Sequence, residues 1–209
     1  FPALGLSKVG QMLLVIGTSG CHIVMSDKEV AVPGICGVSP NGILPGHFGY
    51  DAGQCAIGDI FDWFVKNCVP ASYTDAAKAE GISIHAYLRK KAARLRPGES
   101  GLLALDWWNG NRSVINDSSL SGMILGITLR TKPEEIYRAL LESCAYGTRK
   151  IIESYEECGV AVTELFACGG IAIKDPLMMQ IYADVTGRPI RVAANTQAAA
   201  VGAAIFGAS

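Results

Sequence analysis

Two stretches of small residues carry the chemistry this sequence is best equipped to do. Gly17-Thr18-Ser19-Gly20 separates two apolar runs, "MLLVI" and "CHIVM". A turn without large side chains lets backbone N–H groups approach an anion, and the Thr18 and Ser19 hydroxyls add donors. The same residues also suit an ordinary hairpin turn. The second stretch, Gly169-Gly170, closes the run "TELFAC" shortly before Asp175-Pro176. A glycine pair there can cradle phosphate or let a flat ring lie against backbone. It serves equally as a strand-to-helix connection that needs glycine dihedrals. Neither GxxxxGK[ST] nor a GxGxxG after a strand is present. The GxSxG elbow is nearly mimicked from Gly17, with Cys21 where its last glycine belongs.

The acids that could take part are Asp51, Asp59, Asp62, Asp106 and Asp117. Asp51 lies in a glycine-flanked aromatic stretch, "GHFGYDAGQ", where a carboxylate could hold hydroxyls of a polar ligand. Its other reading is the N-cap of a helix starting near Gly53. Trp107 and Trp108 read as core or interface aromatics before sugar platforms. His22, His47 and His85 are scattered without metal-ligand spacing.

The elements that must position these groups follow from periodicity. Residues 11–16 and 21–26 read as the strands of a hairpin, and Val30 to Val32 as a third short strand. Residues 33–53 are so rich in Gly and Pro that they read as ordered loop. Ala56, Ile57, Ile60, Phe61, Phe64 and Val65 share one helix face. A second helix is expected from Asp75 to about Arg94, and "LLALD" is a short buried strand. Residues 106–129 read as a second long loop. Thr131, with Glu134 three residues on and Pro133 between, marks a helix start. Ile136, Leu140, Cys144, Gly147 and Ile151 stripe that helix to about Glu157. "TELFACGG" is a strand, Asp175 and Pro176 open a helix, "PIRVAA" is a strand, and "AAAVGAAIFGA" opens a last helix. The alternation is that of an α/β domain with an antiparallel hairpin at its front.

The 209 residues carry a formal net charge of −1, which gives no general pull toward nucleic acid or anionic lipid. Arg89, Lys90, Lys91, Arg94 and Arg96 form the densest basic cluster and read as a solvated helix face. No apolar stretch reaches the roughly 18 residues of a membrane span. The seven cysteines contain no CxxC pair and read as buried thiols of a reducing, cytoplasmic compartment.

Taken in order, "IGTSGCHIVM", "GVSPNGILPGHFGYDAGQCAIGDIFDWFVK", "LLALDWWNGNRSVINDSSLSGMILGITLRTKPEEIYRALLE" and "LFACGGIAIKDPLMMQIYADVTGRPIRVAANTQAAAVGAAIFGA" resemble the C-terminal domain of the FGGY-type carbohydrate kinases. "DWWNGNRS" and "GHFGYDAGQ" are most similar to the branch acting on L-ribulose. The resemblance spans nearly all of residues 1–209 and implies a ribonuclease H-like (actin-like ATPase) domain, α/β, with a mixed sheet and flanking helices. It implies ATP and Mg2+ as cofactors. Gly17, Thr18 and Ser19 would contact the β- and γ-phosphates. Gly58 and Asp62, one turn apart on a helix, would line one side of the nucleotide. Gly169 and Gly170 would border the adenosine, with Lys174 near the adenine. Asp51 stands where the branch usually has a sugar-contacting Glu, and Asp175 where an Asn is common.

The implied reaction is transfer of the ATP γ-phosphoryl group to a ketopentose hydroxyl, L-ribulose to L-ribulose 5-phosphate. The family's catalytic Asp would fall upstream of Phe1, because none of the sixteen residues before Gly17 is acidic. No residue of the chain is assigned to the metal. The sequence therefore reads as a domain truncated at both ends, stopping inside a helix at Gly207-Ala208-Ser209, and inactive alone. Two alternatives stay open: a non-catalytic actin-like nucleotide-binding module, and a kinase for another pentulose or pentitol. No nucleic acid or membrane partner is expected. An apolar face left by a missing domain would favour a homo-oligomer.

Overall fold

A computed structural model describes residues 1–195 and 197–208. Its main sheet is built from β1 (Gln11–Ile16), β2 (Gly20–Ser26), β3 (Gly37–Pro40), β4 (Phe48–Gln54), β7 (Glu164–Cys168) and β8 (Ile190–Val192), with β5 and β6 in a separate pair. The spatial order is β3-β4-β2-β1-β7-β8. β2 runs antiparallel to β1 and β4, and β3 antiparallel to β4, while β1-β7 and β7-β8 are parallel. β2, beside the centre, and the edge strand β3 run against the other four, and the five strands β4-β2-β1-β7-β8 have the ribonuclease H-like layout that the resemblance implies.

β1 is buried on both faces. Met12, Leu14 and Ile16 enter the main core, while Leu13 packs with Phe166, Cys168 and Ala198 in a smaller cluster on the opposite side. The main core is closed by α4 (Pro133–Glu157), which packs on α6 (Pro176–Thr186) and α3 (Ile84–Ala92). The smaller cluster lies under α7 (Ala198–Gly207) and the turn at Pro2–Leu4. Ser209 lies outside the described residues.

Several expectations need correction. Residues 33–53 are not loop throughout: they contain β3 and β4. Gly49 and Gly53, inside β4, are sites of close approach, not breaks. A Cβ on Gly49 would lie 2.9 Å from Ile43 Cγ1, and one on Gly53 would collide with the Gly20 carbonyl. Asp51 therefore sits inside β4, opposite Ile23 and Gly37, and caps no helix. Val30 to Val32 form no strand. The Tyr50 hydroxyl takes the Val30 N–H at 2.6 Å and donates to Lys28 O at 2.8 Å, occupying backbone that a ladder would use.

The helix expected from Asp75 is two, α2 (Ala71–Ala79) and α3, broken at Gly81 with φ +68°. Ser83 caps α3 by accepting from Ala86 N at 3.2 Å. α4 begins one residue later than Thr131 predicts. Lys132 is its N-cap, and Glu135 accepts from Lys132 N at 2.6 Å. Thr131 instead accepts from Thr128 N within the preceding turn. The stretch 106–129 holds β6 (Met123–Leu125), paired antiparallel with β5 (Leu103–Leu105). The basic cluster is only partly solvated: Arg89 turns to Asp175 at 3.5 Å and Lys91 to Glu134 at 3.7 Å.

Candidate functional site

The turn between β1 and β2 is clamped onto α1 (Gly58–Cys68). Gly17 N donates to Ser19 O at 3.0 Å and tightens the bend. The Thr18 carbonyl accepts from Ile57 N at 2.7 Å, and the Gly17 carbonyl from Gly58 N at 3.0 Å. The turn's carbonyls thus satisfy the first N–H groups of α1, which a helix otherwise leaves open. The Thr18 and Ser19 amides have no acceptor among the described residues, and Thr18 is exposed. This convergence needs glycine at 58. A Cβ there would lie 2.9 Å from Gly17 O and 2.8 Å from Ile171 Cδ1.

The two glycines after β7 have different duties. Gly169 has φ +103°, and a Cβ on it would collide with the Ile16 carbonyl, so it seats the strand-to-helix corner against β1. Gly170 opens the short α5 (Gly170–Lys174), and a Cβ on it meets nothing within 4 Å. It faces open space.

That space is a cavity of about 550 Å3. Gly17, Thr18, Gly58 and Asp59 form one end, with Phe61 and Asp62 along α1. Gly170, Ile171, Lys174 and Asp175 form another wall, and Ser83, His85, Arg89 and Tyr137 complete it. Six residues expected to bind a ligand thus meet at one cavity: Gly17, Thr18, Gly58, Asp62, Gly170 and Lys174. Ser19 and Gly169 shape it without lining it. Asp51 is elsewhere, on β4, where its carboxylate accepts from Arg112 Nη2 at 2.9 Å.

The sequence reading missed Ser83, His85, Arg89 and Tyr137. A signal was available: His85 and Arg89 share a helical stripe with Leu88 and Ala92, both fully buried. Polar side chains on an apolar stripe either pair or face a cleft, and these do both. Asp175 is only 3% exposed and caps α6 by accepting from Met178 N at 3.0 Å. Burial pushes its carboxyl pKa up, against the opposing pull of that amide and of Arg89. Burial raises the Tyr137 hydroxyl, with Asp175 adding to it, and lowers His85, with Arg89 adding to it. Asp62 is held by Lys66 at 2.6 Å. No group of three or more His, Cys, Asp or Glu able to cage a metal occurs among the described residues. The donor set at the turn end is instead exposed carboxylates, Asp59 and Asp62, beside free amides.

Sheet order and site together define an actin-like ATPase domain. Residues 12–209 match the C-terminal domain of the FGGY family of carbohydrate kinases, and the chain belongs to that family. Among its relatives, the ribulokinase of Anoxybacillus flavithermus is 58% identical over 207 residues, 99% of this chain and 37% of that protein. The ribulokinase of Staphylococcus aureus (strain Newman) is 46% identical over 205 residues, 98% of this chain and 37% of that protein. The chain thus spans little more than a third of the curated relatives it matches. Among solved structures, xylulose kinase from Rhodospirillum rubrum superposes with a TM-score of 0.77 at 26% identity, covering 96% of this chain and 40% of that one. Plasmodium falciparum glycerol kinase, solved with ADP, gives 0.71 at 20% identity over 95% of this chain and 38% of that one, a likeness of fold alone.

Proposed function

We propose that this chain is the nucleotide-binding part of an ATP-dependent sugar kinase that converts L-ribulose to L-ribulose 5-phosphate. The observation that carries the reading is the cavity where the Gly17–Ser19 turn, Gly58 and Gly170 converge. It lies within the range of about 300–1,000 Å3 usual for ligand sites. The free Thr18 and Ser19 amides suit the oxygens of a triphosphate tail. The open face of Gly170 suits a flat base, with Lys174 beside it. Gly169 acts through the backbone corner that places Gly170.

A triphosphate carries Mg2+, which neutralises charge on the phosphates as the phosphoryl group transfers. Asp59 and Asp62 are the carboxylates that would face that ion. Asp51 suits the sugar: it is half-buried, its orientation is fixed by Arg112, and it can accept from a hydroxyl. The base for the sugar hydroxyl is assigned to the part of the relatives that this chain does not span, so the chain alone binds nucleotide and leaves sugar unphosphorylated. Pentulose identity rests on the ribulokinase relatives. All seven cysteines are free thiols, which supports a reducing, cytoplasmic setting, and no described helix is long and apolar enough to cross a membrane.

The chain also presents one uncharged apolar face. Leu103 pairs with Leu125 and Leu105 with Met123, so all four share one side of the β5-β6 pair. Leu103, Met123 and Leu125 are exposed, and Ile127 and Leu129 extend the patch. A face without charges sets up no like-charge repulsion between two copies, and a second copy is the occupant we assign to it. Calorimetric titration with MgATP tests the nucleotide reading: one site per chain is expected. Absence of heat up to millimolar nucleotide, with the fold intact, would overturn it.

A further inference from the structure

The "DWWNGNRS" stretch plays no part in the nucleotide cavity, yet it encloses a second hollow of about 270 Å3 against α4. Asp106, Trp107, Asn111 and Ser113 line one side, and Ser143, Tyr146, Gly147 and Lys150 the other. We propose that this hollow is a binding site for a small neutral polyol.

Four of its polar side chains are buried, Asp106 at 7% exposure and Asn111 at 9% among them. Asp106 is held rigidly from behind. Gln54 Nε2 donates to its Oδ2 at 2.5 Å and to Cys144 O at 2.9 Å. Thr148 donates to Gln54 Oε1 at 2.9 Å, and His22 Nε2 meets Thr148 at 2.8 Å. This chain leaves the second Asp106 oxygen without a side-chain partner among the described residues. Asn111 Oδ1 accepts from Ile115 N at 3.0 Å, while its Nδ2 has no partner among them and stays accessible. α4 makes room with a glycine, since a Cβ at 147 would lie 2.5 Å from Asp106 Oδ2.

The ligand class follows from these groups. A carboxylate oxygen accepts, a carboxamide donates, and the Ser143 hydroxyl, which donates to Leu140 O, can still accept. Hydroxyl groups, which both donate and accept, complement such a mixed set. The buried Asp106 repels anions, and Lys150 offers them little because Glu153 and Glu157 each lie 3.5 Å from it. Trp107 and the half-exposed Tyr146 supply apolar walls for the C–H faces of a polyol chain.

Saturation-transfer NMR on the whole chain with glycerol, ribitol and xylitol tests this site without reference to nucleotide. Transfer to at least one of them is expected, together with a roughly tenfold weaker affinity in Asp106→Asn, the scale of one hydrogen bond to a charged group. If that variant fails to fold, Tyr146→Ala at the rim should weaken binding about threefold while the melting temperature holds. No transfer with any of the three, or transfer indifferent to these substitutions, would overturn the proposal. Saturating MgADP should leave the polyol signal in place, so loss of the nucleotide reading would not remove this one.

Discussion

At the scale of single residues, two adjacent glycines separate architecture from ligand room. A side chain on Gly169 collides with Ile16 O and strains a backbone at φ +103°. Gly169→Ala is expected to cost about 1–3 kcal/mol of stability. A Cβ at Gly170 meets no atom within 4 Å and the position faces open space, so urea unfolding of Gly170→Val should show stability within about 1 kcal/mol of the parent. Calorimetry on the same variant should show nucleotide affinity lost by tenfold or more, because the added side chain enters the cavity. His22 makes a separate residue-scale prediction. Burial lowers its pKa from 6.5 to about 3, with Arg112 adding to the effect, so it stays neutral when folded. Between those values the unfolded chain takes up a proton that the folded chain refuses, and stability falls as pH falls. Its contribution to the slope approaches about 1.4 kcal/mol per pH unit. Urea unfolding between pH 6.5 and 5 should show a flatter dependence in His22→Gln.

At the scale of elements, α3 is where sequence and structure part most instructively. Arg89 looked like one of five solvated cations, yet it closes on Asp175 at 3.5 Å beneath the cavity. Arg89→Leu leaves a buried carboxylate unpaired, whereas Arg89→Leu with Asp175→Asn does not. The double-mutant cycle should give a coupling of about 0.5–3 kcal/mol by chemical denaturation. A coupling near zero would mean that the pair is incidental.

Other elements were plain in the sequence. Two apolar runs on either side of a small-residue turn marked β1 and β2, and Asp175-Pro176 marked the start of α6 to the residue. β3 and β4 were hidden because their glycines read as chain-breaking, when Gly49 and Gly53 are small for Ile43 and for Gly20 with Arg112. The break between α2 and α3 was hidden because Gly81 sits in an otherwise helical composition; its left-handed φ closes a local C-cap, with Gly81 N donating to Lys78 O at 3.0 Å and Ile82 N to Ala77 O at 3.1 Å. The site was half legible. Turns of small residues announce themselves locally. Ser83, His85, Arg89 and Tyr137 reach the cavity only through the packing of α3 on α4.

At the scale of the whole molecule, the second copy proposed to cover the β5-β6 face makes a prediction about oligomeric state. Static light scattering on the chain should give a dimer that dissociates in Leu125→Asp, since a buried unpaired charge at the centre of a two-fold contact is repeated in both copies. A monomer in both would show that no second copy covers this face. We propose that one cavity, framed by the β1-β2 turn and by Gly170, receives a nucleotide. The most direct measurement is amide NMR of the isotope-labelled chain during titration with MgADP. Saturable shifts at Thr18, Ser19, Gly170 and Lys174 are predicted, with Asp51 and Asp106 unmoved. Shifts confined to other surfaces, or none at saturating nucleotide, would contradict it.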